Sequence, residues 1–132
     1  MESFKLTLQR QVSPLHSSIK LVVFADASTQ AMAACAYVVA ADKSHLVFAR
    51  SKLANAKTHP TIPKMEMFAT TMAVRMAQTI YKALADQLKI SSIVIFTDSE
   101  IVLSWLATYP IKRDVGRFVT NRVAEIRAIV TI

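Results

Sequence analysis

Apolar residues occur along this chain in short runs that predict strands and in one long helical repeat. Three strand segments, at about 20–26, 33–41 and 45–51, follow one another with only short polar separations. Such spacing suits the hairpins of an antiparallel meander better than crossover connections. Asp42-Lys43-Ser44 is the clearest predicted turn. The pattern therefore predicts a meander in the first half of the chain.

A long helix is predicted after this meander. Pro63 suits a first-turn position, where its missing N–H costs nothing, and the helical pattern continues to about Leu88. One face carries Glu66 and small residues, beside a bulkier stripe. The small residues are Ala69, Thr70, Ala73 and Ala77, and the bulky ones are Met65, Phe68, Met72 and Met76. We expect Glu66 to point toward protein, although it could simply complement the helix dipole.

The second half of the chain begins with another strand and ends in two short helices. A β-branched run predicts a strand at 93–97, and the preceding helix allows this strand to lie parallel to the first one. Helices are predicted from about Glu100 to Ala107 and from Phe118 to Ala128, and residues 130–132 are strand-like. The order of elements is that of a mixed α/β sheet.

Two of the predicted strands end on an aspartate. Asp26 follows the first strand and Asp98 follows the fourth. Ligands of open α/β sheets gather at the carboxyl ends of parallel strands, so we expect both aspartates and Glu66 at one end of the sheet. Three carboxylates without histidine or cysteine are hard oxygen ligands, suited to magnesium or manganese rather than zinc. Paired ions of this kind carry out in-line displacement at phosphorus.

Covalent chemistry fits the sequence less well. Asp26-Ala27-Ser28 could carry an aspartyl nucleophile, but Ser28 stands where such phosphatase motifs have a second acid. Neither Ser99 nor Ser104 lies within a nucleophile elbow. Gly116 is the only glycine, which excludes a P-loop and a dinucleotide-binding fingerprint.

Length and charge restrict the protein class further. The 132 residues are enough for one domain, and we expect 1–19 to form a lead-in or edge segment and 20–132 the domain itself. The 16 Lys and Arg residues against 9 Asp and Glu residues give a formal net charge of +7, which favours nucleic acid as a partner. A basic solvated surface is the alternative explanation.

Cysteine usage and hydropathy favour an intracellular protein. The single cysteine, Cys35, excludes a disulfide framework. No segment predicts a signal peptide or a membrane span, so we expect a cytoplasmic or nuclear protein that is not secreted. The mean hydropathy of +0.35 is high for a soluble domain, which indicates apolar surface normally covered by another molecule.

Four ordered blocks resemble the ribonuclease H domain of BEL/Pao-type retrotransposon polyproteins. They are Phe24-Ala25-Asp26-Ala27-Ser28, Ile62-Pro63-Lys64-Met65-Glu66, Phe96-Thr97-Asp98-Ser99 with Val102-Leu103-Ser104-Trp105, and Phe118 through Asn121-Arg122-Val123-Ala124-Glu125-Ile126, and Arg50-Ser51-Lys52 also matches. The resemblance implies an α/β, ribonuclease H-like mixed sheet, with an antiparallel meander of strands 1-2-3 plus a parallel strand 4 and flanking helices.

The resemblance also implies an activity and a site. Members of this family hydrolyse the RNA strand of RNA–DNA hybrids with two Mg²⁺ (or Mn²⁺) ions, and Asp26, Glu66 and Asp98 would be the catalytic, metal-ligating acids. Such enzymes recognise RNA through its 2′-hydroxyls, and Ser28 and Ser99 are expected substrate contacts together with Lys52. Local hydrogen bonding at a strand end is the alternative role for the two serines.

The family pattern continues past the end of this sequence. It includes a final strand and a helix with a histidine and a fourth acidic ligand, and Asp114 does not stand at that position. Ala33 also replaces a glycine that is common in the family. We expect an exposed sheet edge that a protein partner could complete by strand addition. The alternative function is a catalytically weak or inactive remnant that binds protein or nucleic acid.

Overall fold

A four-stranded mixed sheet and three helices form the part of the chain that the computed structural model describes, residues 19–108 and 114–130. In chain order the elements are β1 (Ile19–Ala27), β2 (Ala31–Ala40), β3 (Lys43–Leu53), α1 (Ile62–Leu84), β4 (Ile90–Thr97), α2 (Glu100–Ala107) and α3 (Arg117–Ile129). The strand order across the sheet is β3-β2-β1-β4. Strands β1 to β3 are antiparallel neighbours and β4 runs parallel to β1, which confirms the predicted meander plus parallel strand.

The predicted elements are present with small differences at their ends. Helix α2 spans Glu100–Ala107 as predicted, whereas α1 ends at Leu84, earlier than predicted. Strand β1 already begins at Ile19, which the sequence had placed in the lead-in. The rest of that lead-in, residues 1–18, and most of the predicted strand-like end, 131–132, lie outside the described residues.

The turn between β2 and β3 is tighter than predicted. Ala40 pairs with Lys43, so only Ala41 and Asp42 form the turn. Ala41 has a φ of +55°, the left-handed conformation found in two-residue hairpin turns. The turn predicted at 42–44 was therefore placed too late, because the chain reverses within two residues.

Helix α1 packs along one face of the sheet. Alternate residues of β1 are buried and lie in one core cluster with buried residues of α1. On the helix side this cluster includes Ala69, Ala73 and Ala77, whose small side chains let α1 approach the strands closely. The small-residue face predicted for this helix is confirmed.

A second apolar cluster holds α2 and α3 on the other side of α1. Met67 and Val74 of α1 are buried there with Val102 of α2 and Val123 of α3. Trp105 is half-buried and packs against the same cluster. Helix α1 is thus the central element, in contact with the sheet and with both shorter helices.

The face of the sheet away from α1 carries exposed aromatic side chains. Phe24 stacks on Phe96 with their ring centroids 5.3 Å apart, and it meets the edge of the Tyr37 ring at 6.0 Å. Phe24 and Phe96 are both exposed, so this face carries part of the apolar surface that the high mean hydropathy predicted. None of the helices within the described ranges is long and apolar enough to cross a membrane.

Candidate active site

The two aspartates lie at the same end of neighbouring strands, where Asp26 is the penultimate residue of β1 and Asp98 directly follows β4. In the parallel ladder between β1 and β4, Ala25 is paired with Thr97. Asp26 and Asp98 are the next residues along the chain from this pair, and adjacent strands lie about 4.8 Å apart. Both side chains are exposed. The shared sheet end that the sequence predicted for the aspartates is therefore present.

Glu66 reaches this end of the sheet through Ser99. The Ser99 side chain is 3% exposed, and its Oγ donates a hydrogen bond of 2.5 Å to Oε2 of Glu66. The Ser99 Oγ also accepts a hydrogen bond of 3.3 Å from the Val102 amide and so caps helix α2. A hydroxyl bonded to a carboxylate is among the stronger hydrogen bonds of proteins. Ser99, the residue directly after Asp98, thus joins the Glu66 carboxylate on α1 to the start of α2.

Asp26 lies on the face of the sheet opposite to the one that α1 covers. Residues of β1 alternate between the α1 face and the opposite face, and Asp26 belongs to the set that is not buried under α1. Its Oδ1 accepts a bond of 2.9 Å from the Ala27 amide. Within residues 19–108 and 114–130, no three Asp, Glu, His or Cys side chains form a group that could hold a metal ion. The fold brings Glu66 to Ser99 but leaves Asp26 and Asp98 in solvent.

The donor chemistry of these acids nonetheless suits a hard divalent ion. Carboxylate oxygens are the ligands that Mg²⁺ and Mn²⁺ prefer. The Ser99 bond engages only Oε2 of Glu66. Asp26 and Asp98 are exposed, so both carboxylates are accessible to an ion from solvent.

The two predicted serine contacts make local hydrogen bonds in this structure. The Ser28 Oγ accepts from the amides of Gln30 at 3.2 Å and Ala31 at 3.1 Å, which stabilises the turn before β2. The Ser99 hydroxyl is buried and occupied by Glu66 and the Val102 amide. Local hydrogen bonding thus describes Ser28 in full but Ser99 only in part, because its bond to Glu66 joins residues 33 apart, and of the two only Ser28 is exposed.

The third predicted contact, Lys52, belongs to a larger basic surface that sequence reasoning missed. A groove of about 290 Å³ runs between β3 and α1. Its charged and aromatic lining consists of Phe48, Arg50 and Lys52 from β3, Phe68 and Arg75 from α1, and Arg122 from α3. We call it the basic groove. The alternation of Phe48, Arg50 and Lys52 signals one half of it, but nothing in the sequence brings Arg75 next to Arg122.

Glu125 joins the two arginines of this groove. Arg75 binds both carboxylate oxygens of Glu125, at 2.7 Å and 3.0 Å, and Arg122 lies 3.2 Å from one of them. The hydrogen bond from Arg75 is the main reason that the pKa of Glu125 is held below its usual range, against a smaller opposing effect of burial. The carboxylate therefore stays ionised and partly neutralises the α1–α3 wall.

Comparison with known families gives one match. The family model described as "Pao retrotransposon-like RNaseH-like domain" matches residues 1–99, three quarters of the 132-residue chain. No curated protein matches the chain. The matched range contains Asp26, Glu66 and Asp98 and ends before the Phe118–Ile126 block.

Proposed function

Because this chain belongs to the family of Pao retrotransposon-like RNaseH-like domains, we propose that it is a metal-dependent endonuclease that hydrolyses the RNA strand of RNA–DNA hybrids. The observation that carries the proposal is that all three acids fall within the family match and lie at one end of the sheet. Asp26 and Asp98 follow paired strand positions, and Glu66 is one hydrogen bond from the residue after Asp98.

In this function the three carboxylates are the metal ligands. We propose two Mg²⁺ or Mn²⁺ ions, which when bound would supply a water-derived nucleophile and stabilise the charge that develops at phosphorus. Ser99 is a positioning residue, because its hydroxyl fixes one oxygen of Glu66 and caps α2 at the same time. Ser28 and Lys52 are the proposed substrate contacts, since both are exposed near the Asp26 end of the sheet.

The test is a cleavage assay on a labelled RNA–DNA hybrid in Mg²⁺ and in Mn²⁺. We expect weak cleavage of the RNA strand that is faster in Mn²⁺, since Mg²⁺ demands near-ideal octahedral geometry and dehydrates reluctantly, which an incomplete ligand set serves poorly. Asp26→Asn should abolish it. The matched control is Asp42→Asn, which removes the same charge from the exposed β2–β3 turn at the opposite end of the sheet and should cleave normally.

Thermal stability gives a second readout of the same acids. An ion that binds only the folded protein raises its melting temperature. Mg²⁺ or Mn²⁺ should therefore raise the melting temperature of the wild type and of Asp42→Asn, but not that of Asp98→Asn. Equal shifts in the two variants would mean that the ion binds elsewhere.

A second candidate function is a non-catalytic binding module. The specific observation in its favour is that the described acids do not form a metal-holding group as they lie, while β4 presents an edge with no neighbouring strand among the described residues. Its partner would be nucleic acid, or a protein that adds a strand to β4. A folded wild type that binds the hybrid but cleaves in neither metal would select this function over the nuclease.

A further inference from the structure

The basic groove is built by one edge strand facing the central helix. Across the ladder from β2 to β3, Phe48 pairs with Ala36, Arg50 with Ala34 and Lys52 with Met32. Paired residues share a face of the sheet, and these three partners on β2 are buried in the core beneath α1. The side chains of Phe48, Arg50 and Lys52 therefore all lie on the α1 side, in a row along the edge of the sheet.

Positive charge is in clear excess along this groove. Four cationic side chains line it, while Glu125 is the only acid that the described residues place on any of them. Glu125 binds Arg75 and Arg122, which leaves Arg50 and Lys52 without an acidic partner within the described ranges. A concave surface with one sign of charge concentrates a polyanion.

Two aromatic rings lie exposed between these cations. Phe48 is 49% exposed and Phe68 is 37% exposed, and both line the groove. Phe68 is held in place by the Phe118 ring, 4.3 Å away, and Arg122 lies over the other ring of that pair at 5.9 Å. Exposed rings within a positively charged groove are the features by which proteins bind unpaired nucleic acid strands, with bases on the rings and phosphates on the cations.

The groove begins at the end of the sheet that carries the acids. Asp26 pairs with Ala33, and Ala33 pairs with Ser51, which lies between Arg50 and Lys52. On α1, Phe68 is two residues after Glu66. The groove and Glu66 therefore share this end of the sheet on the α1 side, whereas Asp26 lies at the same end on the opposite face. The groove volume of about 290 Å³ is at the lower limit of ligand pockets, which suits an unpaired strand and not a double helix.

We propose that the basic groove binds a single-stranded segment of nucleic acid. Arg50, Lys52, Arg75 and Arg122 contact its phosphates, and Phe48 and Phe68 stack on its bases. The inference rests on the proposed function for its class of ligand and extends it from the hybrid to an unpaired strand beside it. Binding in the groove requires neither metal nor cleavage.

Fluorescence anisotropy with a labelled single-stranded oligonucleotide tests the inference, and chelator is added so that cleavage cannot interfere. The double variant Arg50→Ala/Lys52→Ala should bind at least tenfold more weakly. Because two phosphate contacts are lost, the slope of log K against log salt should also become shallower by about 1.4. The matched control, Lys20→Ala/Lys89→Ala, removes two exposed lysines outside the groove and should bind like the wild type.

Two further variants separate charge from stacking. Phe48→Ala should weaken binding about 5- to 100-fold without changing the salt slope, since a stacking contact carries no charge. Glu125→Gln should strengthen binding, because it releases Arg75 and Arg122 from their shared acid. Circular dichroism of each variant establishes that it is folded before its affinity is compared.

The outcomes are distinct. Equal loss in the groove variant and the Lys20/Lys89 control would overturn the inference, as would equal affinity for a blunt duplex and a single strand. A polyglutamate peptide that binds as tightly as the oligonucleotide would assign the groove to acidic protein instead. Groove-dependent binding by a protein that never cleaves a hybrid would remove the proposed nuclease function and support this inference.

Discussion

Helix α1 is flanked by two grooves, one along each edge of the same sheet, and only one of them is lined by charged side chains. The basic groove lies toward β3. Toward β4 lies a larger groove of about 660 Å³, whose lining includes Val74 of α1, Ile93 and Ile95 of β4, Leu106 of α2 and Ile129 of α3. We call it the apolar groove, since no charged side chain of the described residues lines it. Both have α1 as one wall and receive side chains from α3.

The difference originates mainly in the edge strands. Strand β3 carries Lys43, Arg50 and Lys52, whereas β4, from Ile90 to Thr97, contains no charged residue. Charged side chains on an edge discourage pairing with another chain, and a neutral apolar edge does not. The β3 edge is thus protected from strand addition and suited to a polyanion. The β4 edge has no such protection and no charge to attract a polyanion.

The strongest way to break this comparison is to remove the support that both grooves share. Met67 is buried where α1 meets α2 and α3, so Met67→Ala should lower the free energy of unfolding by about 2–5 kcal/mol. Met72→Ala is the control, because Met72 is only partly buried on the same helix and should cost much less. Urea denaturation measures both. Equal losses would mean that α3 is not held by this contact.

The next largest effect concerns the acid end of the sheet, where Ser99 and Glu66 line neither groove. Ser99→Ala removes the cap of α2 and the hydrogen bond to Glu66, so we expect a loss of about 1–3 kcal/mol. Ser104→Ala, an exposed position on the same helix, should leave stability nearly unchanged. Cleavage by the Ser99 variant should fall more than its stability predicts, and Ser99→Thr, which keeps the hydroxyl, should restore part of it.

A smaller effect distinguishes the grooves by pH. Arg75 holds the pKa of Glu125 below its ordinary value of 4.5 in the folded protein. The resulting stabilisation is present above that value and is lost as the pH falls through the lowered pKa. The two side chains are 56% and 28% exposed, so it amounts to less than about 1 kcal/mol. The stabilities of wild type and Glu125→Gln should therefore converge as the pH falls below 4.5 and through the lowered pKa of Glu125. Parallel curves would contradict the pair's contribution.

The smallest change in stability is expected at the unprotected edge. Ile93 is 42% exposed on β4, so Ile93→Lys should alter the free energy of unfolding by less than about 0.5 kcal/mol. It should nevertheless reduce association of the protein at high concentration, measured by analytical ultracentrifugation, because it places a charge on the edge. Lys20→Ile, on the open face of β1, serves as the reverse control. Unchanged association in Ile93→Lys would show that this edge is not where copies meet.

Local signals explain what the sequence predicted well. The passage from β4 to α2 is specified by the β-branched run before Asp98, by Ser99 at the cap and by the apolar spacing after it. The bounds of α2 match the prediction. The small residues at helical spacing after Glu66 likewise specify the face of α1 that meets the sheet. Each of these signals is local, because its residues lie within one short stretch of sequence.

Tertiary contacts explain what the sequence did not predict. Ser99 and Glu66 are 33 residues apart, and Arg75 and Glu125 are 50 apart, so neither pair leaves a local pattern. Asp26 was placed correctly along its strand, but the direction of its side chain depends on which alternate residues of β1 face α1. The face of β1 that turns toward α1 is set by the packing of the helix on the sheet. The convergence of the three carboxylates, unlike their shared sheet end, remains a prediction.

The position of Trp105 gives this molecule a built-in optical reporter. It is the only tryptophan of the chain, and it packs against the cluster that joins α2 and α3 to α1. Its emission therefore follows the docking of the two short helices, while far-ultraviolet circular dichroism follows the whole chain. If the two signals change at the same urea concentration, sheet and helices unfold as one unit. If the emission shifts first, the short helices separate from α1 while the sheet is still folded, and α3 withdraws its side chains from both grooves together.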